Sequence, residues 1–176
     1  RVKTDLSAEE VLRIAAHPHV QLLKESTGRV AQAAQIARAK PEMSLMCCCS
    51  PNLGLIVPIM SLGGHGVANM TGNIIPREMA VISKPWENFD DAQNFQAAYL
   101  RNLPMLHYAY SAINPVPMKS LMAAMGMPAG PLRKPQKHLT GAALQRGLDA
   151  VAELDLVKAY GYSPVSTLGS ALAAAE

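Results

Sequence analysis

Cysteine is confined to one place in this sequence, Cys47-Cys48-Cys49, and no other position carries a thiol. Three adjacent side chains alternate across an extended segment and close no loop, so a disulfide framework is excluded, and the spacing of a zinc site is missing too. The triplet reads as small, reduced, buried apolar residues, which fits the cytoplasm. Aromatic residues are scarce, 5% of the chain with a single Trp, which leaves little from which to build a base-stacking platform. Charge is also sparse: the net value is +3, the pI is near 8.8, and the only local basic cluster is Arg133-Lys134 with Lys137-His138. A balance this small does not imply nucleic acid. No apolar run free of charges approaches the roughly 18 residues of a membrane span, and Arg1-Val2-Lys3-Thr4-Asp5 does not read as a signal peptide. The expectation is a cytoplasmic enzyme with no membrane and no nucleic-acid partner.

What is present is apolar material in plenty. Of the 176 residues 49% are hydrophobic, and the mean hydropathy is +0.09, enough to build a core in one domain or part of one. Asp5 or Ser7 can cap a first helix with Glu9 and Glu10 in its first turn and Val11, Leu12, Ile14 and Ala15 on one face, until His17-Pro18 stops it. A strand follows within His19–Gly28, then a helix from about Arg29 to Ala39 ahead of Pro41. Ser44–Cys49 is apolar without alternation, the pattern of a parallel strand buried on both faces. A short helix over Leu53–Leu62 leads through Gly63-Gly64-His65-Gly66 into a third strand, Val67–Met70. Strand and helix in alternation with short links signify βαβ units, a parallel sheet and an α/β fold.

After residue 76 the pattern is helical: Pro76–Lys84, a long helix from Asp90 to Ile113, Met118–Met125, and a last amphipathic helix over Thr140–Leu156. Phe95, Tyr99, Leu103, Leu106 and Tyr110 form a stripe on the long helix despite Pro104, which reads as core or subunit contact. Gly126–Pro135 is a loop, and Ser163–Glu176 is a tail that reads as a terminal helix or a frayed extension.

The residue that carries chemistry is Lys24, near the end of the first strand. An ammonium held against apolar neighbours is poorly solvated, which favours the neutral amine that attacks a carbonyl. The plain alternative is a strand-end lysine that reaches water. In a parallel barrel the ends of the strands meet at one mouth, and Lys24, Ser50-Pro51-Asn52 and Ala68-Asn69 all fall at such ends. The glycines of Gly63–Gly66 precede their strand, so a tight turn accounts for them better than a phosphate cradle, and His65 reads as structural.

Four motifs occur in order: Leu23-Lys24-Glu25-Ser26-Thr27-Gly28, Leu62-Gly63-Gly64-His65-Gly66-Val67, Asn114-Pro115-Val116-Pro117-Met118-Lys119 and Leu132-Arg133-Lys134-Pro135. With them the chain, from Arg1 to about Leu156, resembles the dihydrodipicolinate synthase / N-acetylneuraminate lyase family. The resemblance implies the C-terminal part of a (β/α)8 TIM barrel, its last three strands, followed by a C-terminal helical segment; a whole barrel takes about 250 residues. Residues 1–84 are then barrel, 85–160 the helical segment and 161–176 the tail. It further implies that Lys24 forms a Schiff base with pyruvate or another 2-oxo acid, without metal or organic cofactor, and joins it to or releases it from an aldehyde-type acceptor.

By the same resemblance Arg1 contacts a substrate carboxylate, the backbone carbonyl of Ala68 lies close to the 2-oxo acid, and Asn52 stands where many members carry an aspartate. Pro51-Asn52 and Asn69 depart from the common pattern, so an aldolase or hydratase-aldolase acting on a 2-keto-3-deoxy sugar acid or an aromatic pyruvate derivative is as plausible as a synthase. The family's Gly-Thr-Thr-Gly-Glu loop and proton-relay tyrosine belong to the first half of the barrel, and Tyr108, Tyr110, Tyr160 and Tyr162 do not match that tyrosine. A complete site therefore needs the N-terminal half of the barrel, and a homotetramer is the expected assembly. The contrasting reading is a non-catalytic half-barrel serving as scaffold with a partner chain; a phosphate-binding barrel enzyme would need the glycine turn on the same rim as Lys24.

Overall fold

A computed structural model of the chain describes residues 4–40 and 42–164. It forms two compact units, one reaching to Asn69 and including Ala80–Ala97, the other comprising Met70–Met79 and the chain from Ala98.

The first unit opens with α1 (Ala8–Ala15), whose start is fixed by a reciprocal cap. The Ser7 hydroxyl accepts the Glu10 N–H at 3.3 Å, and the Glu10 carboxylate accepts the Ser7 N–H at 2.7 Å, satisfying donors that a helix terminus leaves open. There follow β1 (Leu22–Glu25), α2 (Val30–Ala39), β2 (Ser44–Cys48), a 3-10 turn (Pro51–Leu53), α3 (Ile56–Ser61) and β3 (Gly66–Ala68). The strands lie in the order β1-β2-β3, both pairs parallel. Lys24 is level with Met46 and Met46 with Gly66; Glu25 is level with Cys47, and Cys48 with Ala68.

Strand alternation divides these residues between two faces. Glu25, Leu45, Cys47 and Val67 are buried on the face that the helices cover. There Leu23 packs against a cluster of Ala15, Ile36 and Met43, and Ile36, Leu55, Ile56, Ile59 and Met60 are closed to solvent. Burying each such aliphatic side chain contributes about 1.5–3 kcal/mol. Lys24, Met46, Cys48 and Ala68 occupy the other face, where Lys24 is exposed and the rest half-buried. In this chain the burial of β2 alternates residue by residue, where a whole barrel is expected to enclose both of its faces.

The glycine turn before β3 is built by close approach. Gly64 donates its N–H to the Ile59 carbonyl at 2.9 Å, and a Cβ at Gly64 would lie 2.6 Å from that oxygen. His65 then enters the ladder twice: its N–H donates to the Leu45 carbonyl at 2.7 Å, and its Nδ1 accepts the Leu45 N–H at 3.3 Å. The imidazole therefore does structural work, as expected.

Two of the three unit boundaries fall within α4 (Pro76–Ser83) and α5 (Phe89–Arg101), and the third follows Asn69. In the first unit Trp86 meets Phe95 edge to face at 4.9 Å, and Asp91 pairs with Lys84 while accepting the Glu87 N–H. The expected single helix to Ile113 is broken. α5 stops at Arg101 and α6 (Leu103–Ala109) starts afresh, because Pro104 has no N–H to continue the ladder. The Asn102 amide donates instead to the Ala98 carbonyl at 2.8 Å.

The second unit holds a 3-10 turn (Thr71–Asn73), α6, α7 (Val116–Ala124), α8 (Gly141–Glu153) and α9 (Leu156–Tyr160). Here too an expected single helix, Thr140–Leu156, is interrupted: Asp155 takes a left-handed conformation, φ 53°, and α9 restarts beyond it. The motifs around Lys119 and Arg133 meet, with Lys119 Nζ donating to the Pro131 carbonyl at 2.7 Å. The Ser120 hydroxyl, fully buried, donates to the Val116 carbonyl at 2.6 Å and accepts the Leu139 N–H at 2.8 Å. Tyr160 and Tyr162 stack at 5.3 Å, with the Arg77 guanidinium 4.9 Å from the Tyr160 ring centre. Among the described residues no helix is long and apolar enough to cross a membrane.

Candidate active site

Lys24 is the third of the four residues of β1. Its neighbours on the uncovered face are Leu22, 48% exposed, and Met46 on β2. Lys24 is exposed in this chain, on the strand face that a whole barrel turns towards its interior.

The other two described candidates follow the ends of β2 and β3. Asn52 is exposed in the 3-10 turn Pro51–Leu53. Ala68 closes β3 on the same face as Lys24, and its carbonyl accepts the Cys49 N–H at 3.3 Å, a long bond that leaves one lone pair available. Ala68 lies two strands across and two residues beyond the level of Lys24, which at usual strand spacings separates their Cα atoms by about 12 Å. A lysine arm carrying a three-carbon acid spans such a gap. Arg1 lies outside the described residues. The glycine turn stands where β3 begins, whereas Lys24, Asn52 and Ala68 stand at or just beyond strand ends.

Behind Lys24, on the covered face, Glu25 is 3% exposed. Its carboxylate accepts the N–H of Thr27 and the Thr27 hydroxyl, the latter at 2.6 Å. Cys47 is level with it on β2, and burial pushes that thiol up to about 12, with Cys48 and the Glu25 carboxylate adding to the effect and Lys24 opposing it. Cys47 is accordingly a packed thiol and not a nucleophile. Glu25 and Thr27 were not singled out in the sequence. The signal for them is local, a hydroxyl residue two positions after an acid and just before a glycine, the composition of a side-chain-closed turn.

The dihydrodipicolinate synthetase family model matches residues 1–153. The chain belongs to that family. Among curated members, the 4-hydroxy-tetrahydrodipicolinate synthase of Caldicellulosiruptor bescii is 32% identical over 140 residues, covering 80% of this chain and 46% of that protein. The enzyme of the same name from Thermoanaerobacter sp. strain X514 is 30% identical over 159 residues, covering 90% of this chain and 52% of its own. The chain thus spans about half the length of these relatives. A dihydrodipicolinate synthase of Cyanidioschyzon merolae, crystallised with lysine bound, superposes with TM-score 0.79 at 27% identity over 89% of this chain and 52% of that one. The Aquifex aeolicus dihydrodipicolinate synthase shares the fold, with TM-score 0.78 at 19% identity over 95% of this chain and 54% of its own. The three parallel strands and following helices are therefore those of the C-terminal part of the family's (β/α)8 barrel with its helical segment.

Proposed function

We propose that this chain is the lysine-bearing part of a lyase that forms a Schiff base with pyruvate or a related 2-oxo acid. The observation that carries the reading is the place of Lys24, near the C-terminal end of a parallel strand, on the face that it shares with Ala68. The neutral Nζ attacks the ketone carbon, the carbinolamine loses water, and the iminium nitrogen takes up the electron pair as an adjacent carbon–carbon bond forms or breaks. The Ala68 carbonyl, with a lone pair to spare, and the Arg1 guanidinium, whose fork suits a carboxylate, bind the 2-oxo acid. Asn52 meets the acceptor; as an amide in place of the common aspartate, it supports a sugar-acid aldehyde as well as the acceptor of a synthase. In this reading residues 1–84 are the barrel part and 85–160 the helical segment, the N-terminal half of the barrel supplies the carboxylate loop and the proton-relay tyrosine, and the assembly is a cytoplasmic homotetramer.

Borohydride reduction of the purified full-length protein in the presence of pyruvate, followed by peptide mapping, tests this. The expected result is a single adduct on Lys24 with the mass of pyruvate less water plus two hydrogens, absent in Lys24→Arg. An unmodified Lys24 with pyruvate and with other 2-oxo acids would refute it.

A further inference from the structure

We infer that Glu25 positions Lys24, anchoring the end of β1 through the amide and hydroxyl of Thr27; this rests on the reading of Lys24 as the Schiff-base amine. Glu25 closes β1 directly after Lys24, and strand alternation sends its side chain to the opposite, covered face. A carboxylate taken out of water is stable only where its oxygens are hydrogen-bonded. Here one oxygen, Oε1, accepts two bonds from Thr27, from its N–H and from its hydroxyl. The Thr27 oxygen accepts in turn the Arg29 N–H at 3.1 Å, one residue ahead of α2. The Arg29 guanidinium then donates to Asp5 Oδ1 at 2.6 Å and to the Leu6 carbonyl at 2.7 Å. Gln32 reaches the same carbonyl at 2.9 Å. Residues 25, 27 and 29 thus form one continuous linkage that ties the corner between β1 and α2 to the segment ahead of α1.

Lys24 is the last residue before this linkage. Its arm has four freely turning carbons, so the place of its root sets the region that the amine can reach. A root shifted by about 1 Å carries the amine off the line of attack, at a cost reaching about a hundredfold in rate. Glu25 does not face the reacting atoms. It acts across the strand, through the backbone, and is a positioning residue.

The test uses the purified full-length protein and the rate at which pyruvate is trapped on Lys24 by borohydride, measured against pyruvate concentration. Thr27→Val keeps the volume and removes the hydroxyl; Thr27→Ser keeps the hydroxyl. The expected result for Thr27→Val is a limiting rate at saturating pyruvate lower by about tenfold or more, with the half-saturating concentration unchanged and the rate restored in Thr27→Ser. Glu25→Gln, whose amide oxygen can stand in for Oε1 but accepts without a negative charge, falls between wild type and Glu25→Leu. Glu25→Leu combined with Thr27→Val is no slower than Glu25→Leu alone, since both belong to one linkage. A Thr27→Val protein that unfolds at lower urea yet traps pyruvate at the wild-type limiting rate overturns the inference and leaves the functional reading standing. A wild-type protein with no adduct on Lys24 overturns both. If Glu25→Leu does not fold, the two Thr27 variants decide.

Discussion

Replacing Gly64 with alanine puts a methyl group where, among the glycines described in the first unit, a Cβ has least room. The new Cβ would lie 2.6 Å from the Ile59 carbonyl oxygen and 2.9 Å from both its carbonyl carbon and Cγ2, where ordinary contact begins near 3.4 Å. The turn must therefore open by roughly 0.8 Å against main-chain atoms, which yield less readily than the end of a side chain. Opening it also stretches the Gly64 N–H to Ile59 bond, now 2.9 Å. Overpacking at a stiff site costs about 1–3 kcal/mol and the weakened hydrogen bond about 1 kcal/mol, so Gly64→Ala is expected to destabilise by about 2–4 kcal/mol. Gly63 is the internal control. Nothing lies within 4 Å of its Cβ position, but its φ is +82°, so alanine there suffers left-handed strain alone, about 1–2 kcal/mol. Urea unfolding followed by far-UV circular dichroism compares the two. Because His65 carries the β2–β3 pairing, the shift also reaches Ala68, and pyruvate trapping on Lys24 slows in the folded variant. A Gly64→Ala protein within about 0.5 kcal/mol of wild type, or milder than Gly63→Ala, would refute the steric argument.

Three further outcomes follow from buried groups. The Tyr108 hydroxyl is shut from solvent without a hydrogen-bond partner among the described residues, so Tyr108→Phe should be neutral or stabilising by up to about 1–2 kcal/mol in the same urea assay. Burial, partly opposed by Arg146, pushes the Tyr108 phenol up to about 12, and burial with the Glu78 bond does the same for Tyr160. Folding therefore favours their neutral forms, and the stability this provides is complete below the ordinary tyrosine range near 10. It is lost as the pH rises from about 10 towards 12; Tyr108→Phe should flatten part of that decline in unfolding free energy against pH. Cys47 should resist iodoacetamide at pH 8 in the folded protein and react once urea unfolds it, as read by peptide mass mapping; prompt labelling of native Cys47 would contradict its packed environment.

The order of elements was legible where composition acts locally. Ser7 and Glu10 announce the start of α1 and His17-Pro18 its end, and the cap forms as its residues require. The glycine turn was legible as structure because its glycines precede a strand. Pro104 was underestimated: the apolar stripe continues through it, but a missing N–H outweighs periodicity, and the helix divides at Asn102. The division at Asp155 had no such signal, since an aspartate in the left-handed region looks like any other aspartate in sequence. The candidate site was legible only as a proposal, since a lysine, an amide and a carbonyl can be named from residue type and place along the chain. Its support was not, because a buried Glu25 and an exposed one are spelled the same way.

The sequence by itself determined the alternation of strands and helices and the family, since each depends on residue type at a fixed spacing. Only the tertiary structure decided which face of each strand meets the helices. That choice sets Lys24 on one face with Ala68 and turns Glu25 inward onto Thr27. The physical reason is that burial is a property of what packs alongside. A strand's two faces are equivalent until α1, α2 and α3 cover one of them, and a carboxylate becomes an anchor only once that cover has removed its water.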